Sequence, residues 1–411
     1  MAGSHPSPGT TPGTPRVLRA MNDRAALDLL LAHGPLSRTR IGKLTGLSKP
    51  TASQLLARLE SAGLVVATGT TEGRPGPNAQ LYAVNGRAAF AAGIDVTPLR
   101  IRAAVADLTG RTVGEFELPT PGRRAENAVR RVVAALEGAA EAAGITTADV
   151  HRLVIGTPGA FDPSTGRLRY ASHLPGWHSP DLLEELDAAL PMPVGYENDV
   201  NLVAVAEQRL GVARDHENFV LLWNEEGLGA AVVIGGRLHR GSTGGAGEVG
   251  FLPVPGTPLV RGVTKANSGG FQELAGAQVL PRLAHELGVE PVGQGHYVQV
   301  AGALVARAAE ADSGPYRAFL DTYATGLATG LASLVAVLDP ELVVLSGEAI
   351  AAGGEPLRAR VQAELAELAA SRPRLVIGSV RDHPVLRGAL ESALAATRDE
   401  IFDTTAQRRA P

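Results

Sequence analysis

Residues 37–65 read SRTRIGKLTGLSKPTASQLLARLESAGLV. Ser37 is placed to cap a short helix carrying Ile41 and Leu44, and Gly46 makes a tight turn after it. Ser48 then caps a longer helix, with Pro50 in the first turn where a missing N–H is harmless. Leu55, Leu56 and Leu59 give that helix a face to bury, and Gly63 stops it. The pattern is a helix-turn-helix, whose second helix lies in the major groove and turns its first side chains to base edges. Lys49, Thr51, Ser53 and Gln54 are then the candidates for bases or phosphates. Arg38, Arg40 and Lys43 on the preceding helix, and Arg58 further along, are candidates for phosphate contacts.

Working outward, a helix is expected from Arg16, with Val17, Leu18, Met21, Leu27, Leu30 and Leu31 roughly on one face, ending at His33-Gly34-Pro35. After the motif, residues 64–68 and 80–84 read as two strands around a Gly- and Pro-rich tip. Arg74 at that tip is suited to a minor groove, where negative potential favours arginine. Three helices and a hairpin make a winged helix-turn-helix over residues 16–88. Residues 1–15 hold almost nothing to bury and are expected to form a disordered tail. A small helical bundle for protein contacts is the competing assignment; the short helix, the Gly46 turn and the wing together favour DNA.

Charge agrees with that division. The 411-residue chain carries −4 overall, but residues 1–90 carry +6 and the remainder −10. A small basic unit on a larger acidic body suits a nucleic-acid-binding domain joined to a small-molecule domain. Cysteine is absent, so disulfides and thiolate metal sites are excluded. No secretory pattern opens the chain and apolar runs such as 331–338 are short, so a cytoplasmic protein without a membrane partner is expected.

Beyond Arg87 the texture is α/β. Residues 91–96, 99–106 and 111–118 read as three strands, followed by an alanine-rich helix over 123–143 and a buried strand at 153–155. A similar meander recurs at 219–223, 228–234 and 237–240, with Gly235-Gly236 as its turn. Later come a helix near 316–338, a strand at 342–345 and a helix near 384–396. Two such units suggest a duplicated body with a cleft between lobes.

The winged-helix segment, the Gly73-Arg74-Pro75 wing and the following Leu81-Tyr82 resemble ROK-family repressors. So do Gly156-Thr157-Pro158-Gly159 with Asp162 and Gly166, and Glu197-Asn198-Asp199-Val200-Asn201. GGRLHRGSTGGAGEVG at 235–250 and DPELVVL at 339–345 extend the likeness over the whole chain after the tail. The family mixes sugar-responsive repressors with sugar kinases. The resemblance implies a two-lobed, actin-like and ribonuclease-H-like body, with residues 89–200 as the first lobe and 201–411 as the second, C-terminal helices returning to the first. It also implies a sugar in the cleft, held by Asn198, Asp199, Glu248 and Glu273. Carboxylates with an amide suit the paired hydroxyls of a sugar; each acid alone reads as solvated surface or, for Asp199, a helix cap.

Three departures separate this chain from the kinases. Where family kinases have Asp-x-Gly-Gly-Thr, Asp95-Val96-Thr97-Pro98-Leu99 has no glycine and a proline without an N–H. The second phosphate loop, Gly-Thr-Gly-x-Gly in the family, is Glu225-Glu226-Gly227-Leu228-Gly229. A carboxylate about 4 Å from a phosphate charge is repelled by roughly 4 kcal/mol at a surface-like dielectric. Phosphoryl transfer depends on positioning and charge neutralisation, so neither catalysis nor a nucleotide cofactor is expected. The family's zinc cysteines are missing and its usual histidine is Phe251, whose ring either fills the void or stacks on a sugar. The expectation is a repressor of carbohydrate metabolism without a metal, a homodimer or homotetramer on an operator, with an added-domain sugar kinase or a purely dimerising body as alternatives.

Overall fold

The computed structural model describes residues 15–70, 79–120, 127–162, 165–166, 168–169, 174, 176–177, 179, 181–261, 269–290 and 292–404. The wing-tip Arg74 and the expected tail lie outside these residues, except for Pro15, which opens the first helix. The N-terminal unit comprises α1 (Pro15–His33), β1 (Leu36–Ser37), α2 (Arg38–Thr45), α3 (Lys49–Ser61), β2 (Val65–Thr70) and β3 (Gln80–Val84). The expected caps form: the Ser37 hydroxyl accepts from the Arg40 N–H and the Ser48 hydroxyl from the Thr51 N–H. Gly46 turns the chain between α2 and α3 at φ 70°, a left-handed conformation that glycine adopts without penalty. Its wing is a three-stranded sheet in the order β1-β3-β2. β1 has only two residues, too few for alternation to reveal it.

One expectation about α1 fails. Val17, Leu18 and Met21 stand 49, 53 and 62% exposed. The buried stripe runs through Asp23, Ala26, Leu27 and Leu30, and stepping back by three and four residues it passes 19 and 20, leaving those three on another face. The core they were expected to join is built from Ile41, Leu55, Leu56, Leu59, Leu64, Val65 and Val84, together with Leu108 and Phe402 from the body.

The body continues with β4 (Phe90–Val96), β5 (Arg100–Asp107), β6 (Thr112–Pro119), α4 (Ala128–Ala142), β7 (Val150–Thr157), β8 (Ala160–Phe161), β9 (Leu168–Arg169), α5 (Leu182–Ala189), β10 (Val194–Asn198) and α6 (Asp199–Leu210). Next are β11 (Phe219–Asn224), β12 (Leu228–Ile234), β13 (Arg237–Leu238), α7 (Gly270–Ala275), α8 (Leu280–Glu286), α9 (Tyr297–Ala311) and α10 (Gly314–Leu338). β14 (Leu342–Ser346), α11 (Glu348–Leu368), β15 (Arg374–Ile377) and α12 (Pro384–Thr404) complete it. The sheet orders are β10-β7-β4-β5-β6 and β13-β12-β11-β14-β15. In each, an antiparallel meander of three strands is extended by two parallel strands, so the duplication expected from the repeated meander is present.

α10 is long and apolar enough to cross a bilayer, and half of its most apolar window is buried. Phe319, Leu320, Tyr323, Leu327 and Leu331 belong to the core of the second lobe, which is the packing of an interior helix. α12 lies between the lobes. Its backbone passes so close to α6 that a Cβ on Gly388 would meet the Leu202 carbonyl oxygen at 1.9 Å.

Candidate functional site

The outer face of the helix-turn-helix sorts the predicted DNA residues into three kinds. Arg40, Lys43, Lys49 and Gln54 are exposed, and their side chains make no hydrogen bond or ion pair among the described residues. Arg38, Ser53 and Thr51 are internally engaged. Arg38 donates to the Ser53 hydroxyl at 3.1 Å, Ser53 donates in turn to the Lys49 carbonyl, and Thr51 shares a 2.8 Å bond with Ser48. Arg58 requires a correction: instead of facing outward it pairs with Asp23 at 2.6 Å and ties α3 to α1. Asp23 is buried, which raises its carboxyl above the ordinary range, and the Arg58 hydrogen bond opposes that shift. An acid so placed needs a cation, and Arg58 is in reach.

A concavity of about 390 Å³ lies between the lobes. Its floor is set by parallel strands. Asp95 on β4 and Glu197 on β10 both pair in register with Gly156 of β7, placing them at the carboxyl edge of the sheet, where α/β folds bind ligands. Asn198 ends β10 and caps α6: its side-chain oxygen accepts from the Asn201 N–H and its amide donates to the Gly159 carbonyl at 3.1 Å. Asp199 follows, accepting from the Val200 N–H at 2.8 Å. Burial pushes its carboxyl up to about 7 against that hydrogen bond, aided by the charges of Asp95, Glu248 and Glu226. Glu248 lines the opposite wall and is likewise raised to about 7 by burial. Gly247 puts it there, because a Cβ at that position would meet the Ala230 carbonyl at 1.9 Å.

The cleft therefore brings together Asn198, Asp199, Glu248 and Phe251. Glu273 is not part of it. It stands exposed on α7, and the residue lining the cleft is its neighbour Gln272. Gln272 is held in place, accepting from the Leu228 N–H and donating to Gln278, both at 2.6 Å. In a helix of six residues, adjacent side chains point about 100° apart, so sequence position alone does not choose between them. Sequence reasoning also missed Trp223, Arg100, Arg102, Arg381 and His383, all on the cleft wall.

The ROK family profile matches residues 91–396. The chain belongs to the ROK family. Ahead of the ROK match, residues 17–74 match the MarR family profile. The xylose repressor of Caldicellulosiruptor bescii is 26% identical over 343 residues, covering 82% of this chain and 85% of that protein. A crystal structure of a ROK-family transcriptional regulator, described as a homologue of the Escherichia coli MLC protein, superposes with a TM-score of 0.72. It is 20% identical and covers 95% of this chain and 99% of its own, which shows the shared fold. A ROK hexokinase from Thermus thermophilus is also similar, with a TM-score of 0.62 and 28% identity over 75% of this chain and 99% of that one.

Both kinds of ROK protein are thus relatives, and the loops decide what this ROK cleft can hold. Glu225 and Glu226 face into it. The Glu225 carboxylate accepts from the Glu348 N–H at 2.9 Å, at the first residue of α11. A helix N-terminus is an anion site; here the chain's own carboxylate occupies it. Burial, resisted by that hydrogen bond, raises Glu225 to about 7. The strand end that carries it is fixed by Asn224, which is buried, donates to the Ala275 carbonyl and to Tyr323, and accepts from the Ala277 N–H. At the first loop, Thr97 bonds back to Arg100, closing the turn on itself.

Proposed function

We propose that this ROK protein is a DNA-binding transcription regulator, a repressor of carbohydrate metabolism, controlled by a sugar or sugar derivative held in the cleft and not phosphorylated there. The observation that carries the proposal is α12. Its N-terminal end, at His383, Pro384 and Val385, lines the cleft. At the other end Phe402, 1% exposed, is buried in the core of the winged helix. Asp399 pairs with Arg24 of α1 at 2.7 Å, and Arg398 donates to the Leu108 carbonyl in the same core. Twenty-one residues at a helical rise span about 31 Å, so one rigid element touches both sites. α6, which starts at Asp199, packs backbone to backbone on α12 at Gly388.

A ligand drawing the lobes together on Asn198, Asp199 and Glu248 displaces α12 and with it the winged helix. In a dimer or tetramer reading half-sites about 34–36 Å apart, a small rotation mismatches the recognition helices. The coupling required is on the order of 1–3 kcal/mol. Operator DNA as a partner places this work in the cytoplasm. The lost phosphate loops and the Glu225 carboxylate at α11 support binding without turnover.

The test uses the full chain to select duplexes from a random library, followed by titration of sugars onto the selected complex. An enriched operator, released or tightened by at least one sugar, is the expected result. Failure to enrich any sequence refutes the DNA-binding assignment; sugar-dependent ATP consumption by the purified chain would restore the kinase.

A further inference from the structure

The two walls of the cleft carry opposite charge. Glu225, Glu226 and Glu248 belong to the second-lobe wall, and Asp199 lies on the floor beside them. On the first-lobe side stand Arg100 and Arg102 from β5 and Arg381 from the segment leading into α12, joined by His383. Burial and the Arg102 charge hold the His383 imidazole below its ordinary range, so that it offers a neutral N–H. Arg100 and Arg102 are two residues apart on one strand and so project from the same face. They share Glu117, Arg102 at 2.7 Å and Arg100 at a loose 3.6 Å, and the Arg100 Nε is buried without a hydrogen-bond partner. Arg381 makes no ion pair among the described residues. Asp95, raised to about 6 by burial, lines the cleft near this group, and Arg102 and Arg100 act against that shift.

The segment bearing Arg381 and His383 is built, not loose. Glu207 of α6, fully buried, accepts from the Val380 N–H at 2.8 Å and from the Ser379 hydroxyl at 3.2 Å. His383 adopts φ 48°, a left-handed conformation that costs a non-glycine residue energy and that folds retain mainly where it places something useful. The next residues open α12, whose first N–H groups add partial positive charge on this side. A neutral polyol leaves Arg381 and the orphaned Arg100 nitrogen without an anion.

We infer that the effector is an anionic sugar, its polyol on Asn198, Asp199 and Glu248 and its phosphate or carboxylate among Arg100, Arg102, Arg381 and His383. This rests on the sugar-binding function proposed above. The anion takes the place that the lost loops deny to a nucleotide, and it sits at the cleft end of α12, where its arrival bears on the element joined to the winged helix. Phosphate esters and sugar acids share this chemistry.

The experiment is thermal-shift screening and calorimetric titration of the full chain with matched sets. Glucose is paired with glucose 6-phosphate and gluconate, mannose with mannose 6-phosphate, and xylose with xylose 5-phosphate and xylonate, with inorganic phosphate run alone. At least one anionic member is expected to bind about tenfold or more tightly than its neutral parent, the effect of one or two charge-assisted hydrogen bonds. A response to esters alone assigns phosphate, and a response to acids alone assigns carboxylate. Arg100→Gln and Arg381→Gln should each shrink the anionic-to-neutral ratio by about tenfold, and rising salt should shrink it in the native chain. Neutral sugars that bind as well as their anionic partners overturn the inference and leave the sugar cleft standing. No binding by any member removes the sugar cleft as well. Inorganic phosphate binding as tightly as the best ester, or a ratio unchanged in the folded variants, also overturns it.

Discussion

Phe402→Ala should uncouple the two halves of the protein while leaving each intact. Phe402 is 1% exposed in a core made otherwise almost entirely of winged-helix residues. Truncating such a phenylalanine costs about 3–5 kcal/mol, and losing the Arg24 guanidinium stacked 5.2 Å from its ring adds about 0.5–1 kcal/mol. The Arg24–Asp399 pair that remains is exposed and holds at most about 1 kcal/mol. Ile401 packs against the same core, but Phe402 is the one fully buried α12 side chain in it, so its ring is the largest single tie between α12 and the winged helix. For a unit of this size, 1 kcal/mol moves the midpoint by roughly 4–8 °C, so calorimetry should show the winged helix melting in its own transition, about 10 °C or more below the body. At lower temperature the exposed Arg40, Lys43, Lys49 and Gln54 are unaltered, and operator affinity should stay within a few-fold of the native value. Ligand control of that affinity should be lost. A variant that melts in one unshifted transition, or that answers its effector normally, refutes the role given to α12.

Lys49→Ala should weaken DNA binding and flatten its salt dependence by about one unit of slope, because each phosphate-paired cation releases about one counterion; Arg58→Ala should instead lower thermal stability, since it strips the buried Asp23 of its partner. An unchanged salt slope for Lys49→Ala, measured by fluorescence anisotropy, removes that residue from the interface. Trp223 lines the cleft, whereas Trp177 is buried elsewhere, so effector binding should alter intrinsic fluorescence and Trp223→Phe should silence the change. Asp199, Glu225 and Glu248 hold protons up to about pH 7 in the fold, while an unfolded carboxylate releases them near 4. The ligand-free native state thus binds more protons between those limits, its stability falls as pH rises from about 5 to 7, and Asp199→Asn or Glu248→Gln should flatten the trend. A melting temperature that rises over that interval, in native chain and variants alike, contradicts the burial of these acids.

The winged helix was legible because its signals are local: Ser37, Gly46 and Ser48 act within three or four residues of themselves. The duplicated meanders were legible for the same reason, through the Gly235-Gly236 turn and strand-length apolar runs. Residues whose roles depend on distant partners were not. Arg58 reads as an outward cation until Asp23 is brought beside it, and Gln272 or Glu273 faces the cleft according to a helix phase the sequence does not state. Helix α11 is hidden in the sequence by Gly353-Gly354 and Pro356, which read as a break, and the chain does kink there, with Gly354 at φ 52°. The resemblance to the family supplied Asn198, Asp199 and Glu248, which line the cleft. It said nothing of Arg100, Arg381 or His383, nor of the Arg398 contact that crosses 290 residues to Leu108. The arginine-bearing wall of the cleft and the helix that runs from it into the winged-helix core arise from long-range packing around α12. For that reason neither short motifs nor local periodicity could have exposed them, and perturbations at the two ends of that helix are the most direct way to read how the protein is controlled.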